Sequence, residues 1–123
     1  MRSILLSLCC GLTMLVGCAP DAPPVSQQAA VQAATQLPSD ERLARLYQQS
    51  CKICHGLAQS GAPLARDQSQ WDPRWAKGLP ALLQSTVTGL NGMPPGGQCF
   101  ACTTQDYQAL IAFMAGRDAP NGK

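Results

Sequence analysis

The sequence predicts an all-α fold in one small domain. Two segments of the chain place apolar side chains at the spacing of an amphipathic helix, and a third begins with a proline suited to the first turn of a helix. A total of 123 residues leaves room for one domain. We divide the chain into a leader over residues 1–17, a tether over 18–37, the domain over 38–117 and a tail over 118–123.

The N-terminus has the features of an export signal. Arg2 provides the positive start, and the apolar stretch from Ile4 to Val16 is too short to cross a bilayer comfortably. The string Leu-Val-Gly-Cys that ends at Cys18 resembles a bacterial lipobox, whose cysteine is lipidated and becomes the new first residue; a plain secretory signal is the alternative. Ala19 follows the cysteine, and by resemblance to the sorting rule of some Gram-negative bacteria this points to the outer membrane. We therefore expect a lipid-anchored protein on the periplasmic side of a bacterial membrane.

The segment after Cys18 is rich in Ala, Gln and Pro and carries a single charge, Asp21. Because no apolar period runs through it, we interpret it as a tether between the lipid and the domain. Partial helix formation over residues 25–36 is the alternative.

The first helix of the domain is predicted to begin after Pro38. Ser39 suits the N-cap position, and Asp40 and Glu41 place negative charge in the first turn, where the helix dipole favours it. Apolar or cysteine side chains then recur every three or four positions: Leu43, Leu46, Tyr47, Cys51 and Cys54. We predict that this one helix carries both cysteines toward the interior.

Cys51, Cys54 and His55 form the pattern C-x-x-C-H, which indicates covalent haem attachment. Two thiols at this spacing can form thioethers with the two vinyl groups of one haem, and the next residue is then held where an imidazole nitrogen can bind the iron. A redox-active thiol pair is one alternative, but no strand–helix–strand pattern surrounds the motif. A zinc site is another, but His55 is the only histidine in the chain. The motif therefore predicts one haem c.

Met93 is the predicted second axial ligand of the iron. It is followed by Pro94 and Pro95, which restrict the backbone that carries its thioether. A thioether is a soft donor that suits haem iron and raises its reduction potential. A surface turn with a buried methionine is the alternative, and Met114 is assigned to the core.

Cys99 and Cys102 form a second C-x-x-C pair, this time without a histidine. Lacking the imidazole, the pair is not a second haem site. In the oxidising compartment that the leader implies, we expect the two cysteines to form a disulfide.

Two further helices complete the predicted domain. A short helix is expected from Pro80 to about Thr88, since proline is favoured in a first turn. The last helix starts at Thr103, which forms a possible capping box with Asp106, and Gly116 is a suitable stop. Its apolar face comprises Tyr107, Leu110, Ile111 and Met114.

Together these motifs resemble the cytochrome c5 family of bacterial class I c-type cytochromes, from about residue 43 to 115. The resemblance rests on Tyr47 before C-x-x-C-H, Gly-Ala-Pro ending at Pro63, W-x-P-R starting at Trp71, N-G-M-P-P, and the second C-x-x-C. It implies a small class I cytochrome c fold, with three to four helices around one covalent haem, and low-spin iron bound by histidine and methionine.

The resemblance also implies roles for three further residues. Pro63 resembles the proline whose carbonyl accepts a hydrogen bond from the axial histidine, a contact that fixes the imidazole. Trp71 and Arg74 resemble residues near the haem propionates, with ordinary core packing as the alternative for Trp71. The chain departs from the family at Leu43, where a glycine usually allows close helix crossing, so the crossing is expected to be wider or shifted.

The expected function is electron carriage between redox proteins rather than catalysis. With both axial positions filled by protein, no open iron site remains for a small-molecule substrate, and no general base or nucleophile is evident elsewhere. The net charge of +2 and the 13% share of charged residues argue against a nucleic-acid partner. Two alternatives stay open: the haem subunit of a periplasmic oxidoreductase complex, and a haem-based gas or redox sensor in which Met93 is a weak ligand or none.

Overall fold

The computed structural model describes residues 25–118, and its regular structure there is helical. The elements are α1 (Gln27–Thr35), α2 (Glu41–Gln49), α3 (Lys52–His55), α4 (Gln68–Trp75), α5 (Leu79–Thr88) and α6 (Thr104–Met114), with 3₁₀ turns at Ala58–Ser60 and Pro95–Gln98. The all-α prediction is confirmed, although six helices in the described range exceed the expected three to four. Cys18 and the leader lie outside the described residues. None of the helices between residues 25 and 118 is long and apolar enough to cross a membrane.

Helix α1 lies inside residues 18–37, the predicted tether. Its N-cap Ser26 accepts a hydrogen bond from the Ala29 amide at 3.1 Å. Ala33 is only 1% exposed, and Ala29 and Ala30 pack partly buried against the core. Residues 27–35 therefore form a helix that packs on the domain, which corresponds to the alternative of partial helix formation over residues 25–36. Alanine is a strong helix former but contributes little to an apolar period. The apolar pattern of residues 27–35 therefore does not reveal this helix.

Helix α2 ends before the attachment motif. Its N-cap is Asp40 rather than Ser39, with the carboxylate accepting from the Leu43 amide at 2.8 Å. At the other end Ser50 leaves helical geometry (φ −132°, ψ −74°), and its hydroxyl donates to the Leu46 carbonyl at 2.5 Å. The prediction of one helix through both cysteines is therefore wrong. A serine hydroxyl that competes for backbone groups favours a helix end at this position.

The core forms where α2 packs against α6. Tyr47 is fully buried, and its ring meets Phe113 edge-on, with centroids 5.0 Å apart and planes at 74°. Leu43, which stands where the family usually has glycine, is half-buried against this core. Met114 is 3% exposed, which confirms its assignment to the core.

The start of α6 is tied to the start of α2. Thr103 and Asp106 form the predicted capping box, in which the Asp106 amide donates to Thr103 Oγ1 at 3.2 Å and the Thr103 amide donates to the carboxylate at 2.8 Å. Arg42 completes the site with an ion pair to Asp106. The Arg42 hydrogen bond is the main cause that lowers the pKa of Asp106 to about 2. At the other end, Gly116 adopts φ +65° and confirms the predicted stop.

The predicted helix over residues 80–88 is confirmed as α5, which begins one residue earlier, at Leu79. It packs against α6 and against the 3₁₀ turn Pro95–Gln98. The 3₁₀ turn that follows Met93 is thus packed against α5.

Candidate haem site

His55 lies at the end of α3 and is only 6% exposed. Its Nδ1 atom lies 2.7 Å from the Pro63 carbonyl oxygen, the contact that the family resemblance implies. Because a carbonyl can only accept, Nδ1 carries the hydrogen, and Nε2 keeps its lone pair. Burial is the main cause that lowers the pKa of His55, so the ring is neutral near pH 7. The imidazole therefore presents a free, unprotonated donor nitrogen.

The loop after the attachment motif forms two hydrogen bonds with His55. The Ala65 amide donates to the His55 carbonyl at 2.8 Å, in addition to the Pro63 contact. Trp71 Nε1 donates to the Leu64 carbonyl at 2.9 Å, and its ring centroid lies 5.9 Å from that of His55. The buried Trp71 side chain thus holds the loop that orients the imidazole.

These contacts bear on the roles that the resemblance implied for Trp71 and Arg74. The indole N–H of Trp71 donates to the Leu64 carbonyl, and the ring lies beside His55; a place near the propionates stays a prediction. Arg74 is exposed, and its guanidinium donates to the Gln70 carbonyl. Its charge contributes to the lowered pKa of His55. A propionate contact of Arg74 stays a prediction.

The two cysteines of the motif lie one helical turn apart at the start and near the end of α3. The His55 amide donates to the Cys51 carbonyl at 2.9 Å, which fixes the spacing between thiol and imidazole. Within residues 25–118 neither Cys51 nor Cys54 is in a disulfide. Cys51 is half-buried, and burial is the main cause that raises the pKa of its thiol, whereas Cys54 is exposed. An interior position of Cys54 next to the haem stays a prediction.

Met93 lies in a tight turn after α5. Backbone hydrogen bonds run in both directions between Leu90 and Met93, at 3.1 and 2.9 Å. The half-buried methionine lies against Gly97, where a Cβ atom would sit 3.2 Å from Met93 Cε. Gly97 also adopts φ +55°, a conformation that other residues rarely adopt, so the position suits glycine on both grounds. The turn thereby leaves room for the thioether.

A disulfide joins Cys99 and Cys102 in the structure, with the Cα atoms 5.4 Å apart. Cys99 is buried, and its carbonyl accepts a hydrogen bond from the Tyr107 hydroxyl at 2.9 Å. The sequence predicts Tyr107 only as a member of the apolar face of α6. Its polar contact depends on where the loop packs, and no local pattern signals it.

The donor set fits one haem c. Cys51 and Cys54 precede the imidazole of His55, and among the described residues neither thiol is in a disulfide. The imidazole is buried and its Nε2 is available to bind iron. Met93 offers the soft thioether that haem iron accepts. The Pro63 contact supplies the outer bond that fixes a metal-binding histidine.

Comparisons with known proteins agree with this fit. Residues 38–114, which include the attachment motif and Met93, match a family described as cytochrome C oxidase, cbb3-type, subunit III. The chain is 41% identical to cytochrome c5 of Azotobacter vinelandii over 68 residues, which span 54% of this chain and 82% of that protein. It is 32% identical to cytochrome c-555 of Chlorobaculum tepidum over 75 residues, which span 58% of this chain and 69% of that protein.

The fold has a counterpart among solved structures. A chain in the crystal structure of an electron transfer complex of nitrite reductase with cytochrome c superposes with a TM-score of 0.56 at 33% identity. The match covers 66% of this chain and 96% of that chain. Together with the C-x-x-C-H motif, these similarities show that the chain binds haem c covalently.

Proposed function

Because this chain belongs to the cytochrome c5 family of electron-carrier cytochromes, we propose that it moves single electrons between periplasmic or membrane redox proteins, with His55 and Met93 as axial ligands. The bound haem supplies reversible exchange of one electron between ferric and ferrous iron. The observation that supports histidine ligation most strongly is the buried His55 ring, held by Pro63 with Nε2 free.

The side chains around the site have distinct tasks in this proposal. Cys51 and Cys54 hold the haem by thioethers, so it cannot dissociate. Pro63 fixes the imidazole through Nδ1, and Trp71 holds the loop that carries Pro63. Met93 would supply the second iron ligand through its thioether. With both positions taken by protein, the iron has no site for a substrate, and we propose that the chain is not itself an enzyme.

A second candidate function is a haem subunit in a stable oxidoreductase complex. It is favoured by the description of the matching family, which names an oxidase subunit. The two candidates differ in association, because a free carrier is recovered alone and a subunit is recovered with its catalytic chain. Purification of the native protein under mild detergent, followed by gel filtration, separates them.

A potentiometric titration of the purified haem protein tests the carrier role. We expect a single reversible one-electron wave that superposes in the oxidative and reductive directions, because no ligand must enter or leave the iron. Hysteresis between the two directions, or a midpoint that moves when carbon monoxide is added, would contradict the carrier role.

We further propose that Cys18 is lipidated and anchors the protein to the membrane, as the lipobox-like string suggests. Mass spectrometry of the mature protein should find residue 18 at the N-terminus with a diacylglycerol modification. Recovery of a soluble product with an unmodified Cys18 would rule the anchor out.

We also propose that the mature protein contains the Cys99–Cys102 disulfide, which follows the 3₁₀ turn Pro95–Gln98 and has a structural role. Thiol titration of the denatured holoprotein should then detect no free thiol in the domain, because the other two cysteines are on haem. Two reactive thiols would contradict the bridge.

A further inference from the structure

Tyr107 connects α6 to the 3₁₀ turn Pro95–Gln98, which follows Met93. Its side chain is half-buried near the start of the helix, and its hydroxyl donates to the Cys99 carbonyl at 2.9 Å. Two other hydrogen bonds shape this turn, from the Gly97 amide to the Pro94 carbonyl and from the Cys99 amide to the Gly96 carbonyl, both at 2.9 Å. Those two bonds lie within the turn, whereas the Tyr107 bond links it to a helix of the core.

The turn has a backbone that needs such support. Gly96, Gly97 and Gln98 are consecutive residues with φ of +65°, +55° and +61°. Gln98 carries a side chain, for which left-handed backbone is costly and persists only where the surroundings hold it. An anchor from α6 at the next residue, Cys99, provides that constraint.

The contacts run on from the Tyr107 hydroxyl to Met93. A Cβ atom at Gly96 would lie 2.8 Å from the hydroxyl, and a Cβ atom at Gly97 would lie 3.2 Å from Met93 Cε. The phenol oxygen, the two glycines and the methionine methyl group are therefore in close contact one after another, and a side chain at either glycine would displace its neighbour.

We propose that Tyr107 is a positioning residue for the Met93 sulfur. Its hydroxyl fixes the turn Pro95–Gln98 against α6, and the fixed turn holds the thioether in its axial position. This inference rests on the proposed His55/Met93 ligation. Loss of the hydroxyl frees the turn and makes Met93 easier to displace from the iron, although the helix itself stays folded.

The other tyrosine provides a matched control. Tyr47 is fully buried, and its hydroxyl has no hydrogen-bond partner among residues 25–118. Burial is the main cause that raises the pKa of Tyr47 to about 12. Tyr47→Phe therefore removes the same oxygen atom at a site where it forms no hydrogen bond to the described residues.

Displacement of Met93 by added imidazole distinguishes the two variants. In the ferric holoprotein, imidazole binding is followed by the Soret shift and by loss of the near-infrared sulfur-to-iron band. Because Tyr107→Phe loses one hydrogen bond of ordinary strength, we expect its affinity for imidazole to increase about fivefold to tenfold. Tyr47→Phe should bind imidazole like the unmutated protein. Far-UV thermal melting shows that each variant is folded during the assay.

Two results would overturn the inference. Unchanged imidazole affinity in folded Tyr107→Phe, or an equal gain in both variants, would show that the hydroxyl has no specific effect on Met93 while leaving the proposed ligation intact. Absence of the near-infrared band from the unmutated protein would instead overturn the His55/Met93 ligation, and the inference with it.

Discussion

Met93→Ala is expected to abolish the near-infrared sulfur-to-iron band and to open the ferrous iron to carbon monoxide. The methyl group that replaces the thioether cannot bind iron, and no other donor is held in the turn at that position. The reduction potential should fall, since a thioether favours ferrous iron. We expect a decrease on the order of 200 mV, within the range of about 0.8 V over which axial ligands set haem potentials. Optical titration and carbon monoxide difference spectra measure these effects.

Met114→Leu is the control for this variant. Met114 is buried in α6, and leucine keeps its volume, so the cost in stability should stay below about 1.5 kcal/mol. The near-infrared band and the potential should be unchanged. A band that survives Met93→Ala, or that is lost in Met114→Leu, would show that the methionine ligand is assigned to the wrong residue.

Asp106→Ala is expected to lower the stability of the domain substantially. The carboxylate caps α6, accepts from the Thr103 amide and hydroxyl, both at 2.8 Å, and pairs with Arg42 on α2. Removing a cap together with buried acceptor bonds should lower the free energy of unfolding by about 2–3 kcal/mol. Guanidinium unfolding of the holoprotein, followed by circular dichroism, measures the loss.

Asp72→Ala provides the comparison, because Asp72 also forms an ion pair, with Arg117 at 2.7 Å, but both side chains are largely exposed. An exposed pair contributes about 1 kcal/mol at most. Equal losses in the two variants would contradict the importance of burial and of the helix cap at Asp106.

The same carboxylate predicts a pH dependence. The pKa of Asp106 falls from 3.8 to about 2 on folding, chiefly because of the Arg42 hydrogen bond. A lowered pKa means that its contribution to stability is complete above about pH 4 and is lost as the pH falls toward 2. The decline in unfolding free energy over that range should therefore be shallower in Asp106→Ala. An unchanged slope would show that other groups cause the acid sensitivity.

Local signals in the sequence were sufficient for some of the fold. The capping box at Thr103 and Asp106, the stop at Gly116 and the helix after Gly78 all depend on residues within a few positions of one another, so a pattern can reveal them. The break at Ser50 was missed because the apolar period continues through it. A single hydroxyl, bonded to the Leu46 carbonyl, accompanies the break.

The residues of the candidate site were also only partly predictable from local patterns in the sequence. The C-x-x-C-H motif identifies three haem-binding residues directly, because the chemistry sets their spacing. The Pro63 contact with His55 could be expected only from family resemblance, since the two residues are eight positions apart in a segment without a periodic pattern. The packing of α1 and the Tyr107 bond to Cys99 arise from tertiary placement. Neither small alanine side chains nor one phenol on an apolar face carries a periodic signal for such contacts.

The most direct test is the optical spectrum of the unmutated holoprotein. If His55 and Met93 both bind the iron, the ferric protein shows the weak near-infrared sulfur-to-iron band, and the ferrous Soret band does not change when carbon monoxide is added. A ferric spectrum without that band, together with ready carbon monoxide binding by the ferrous form, would contradict the carrier function and favour a haem-based sensor.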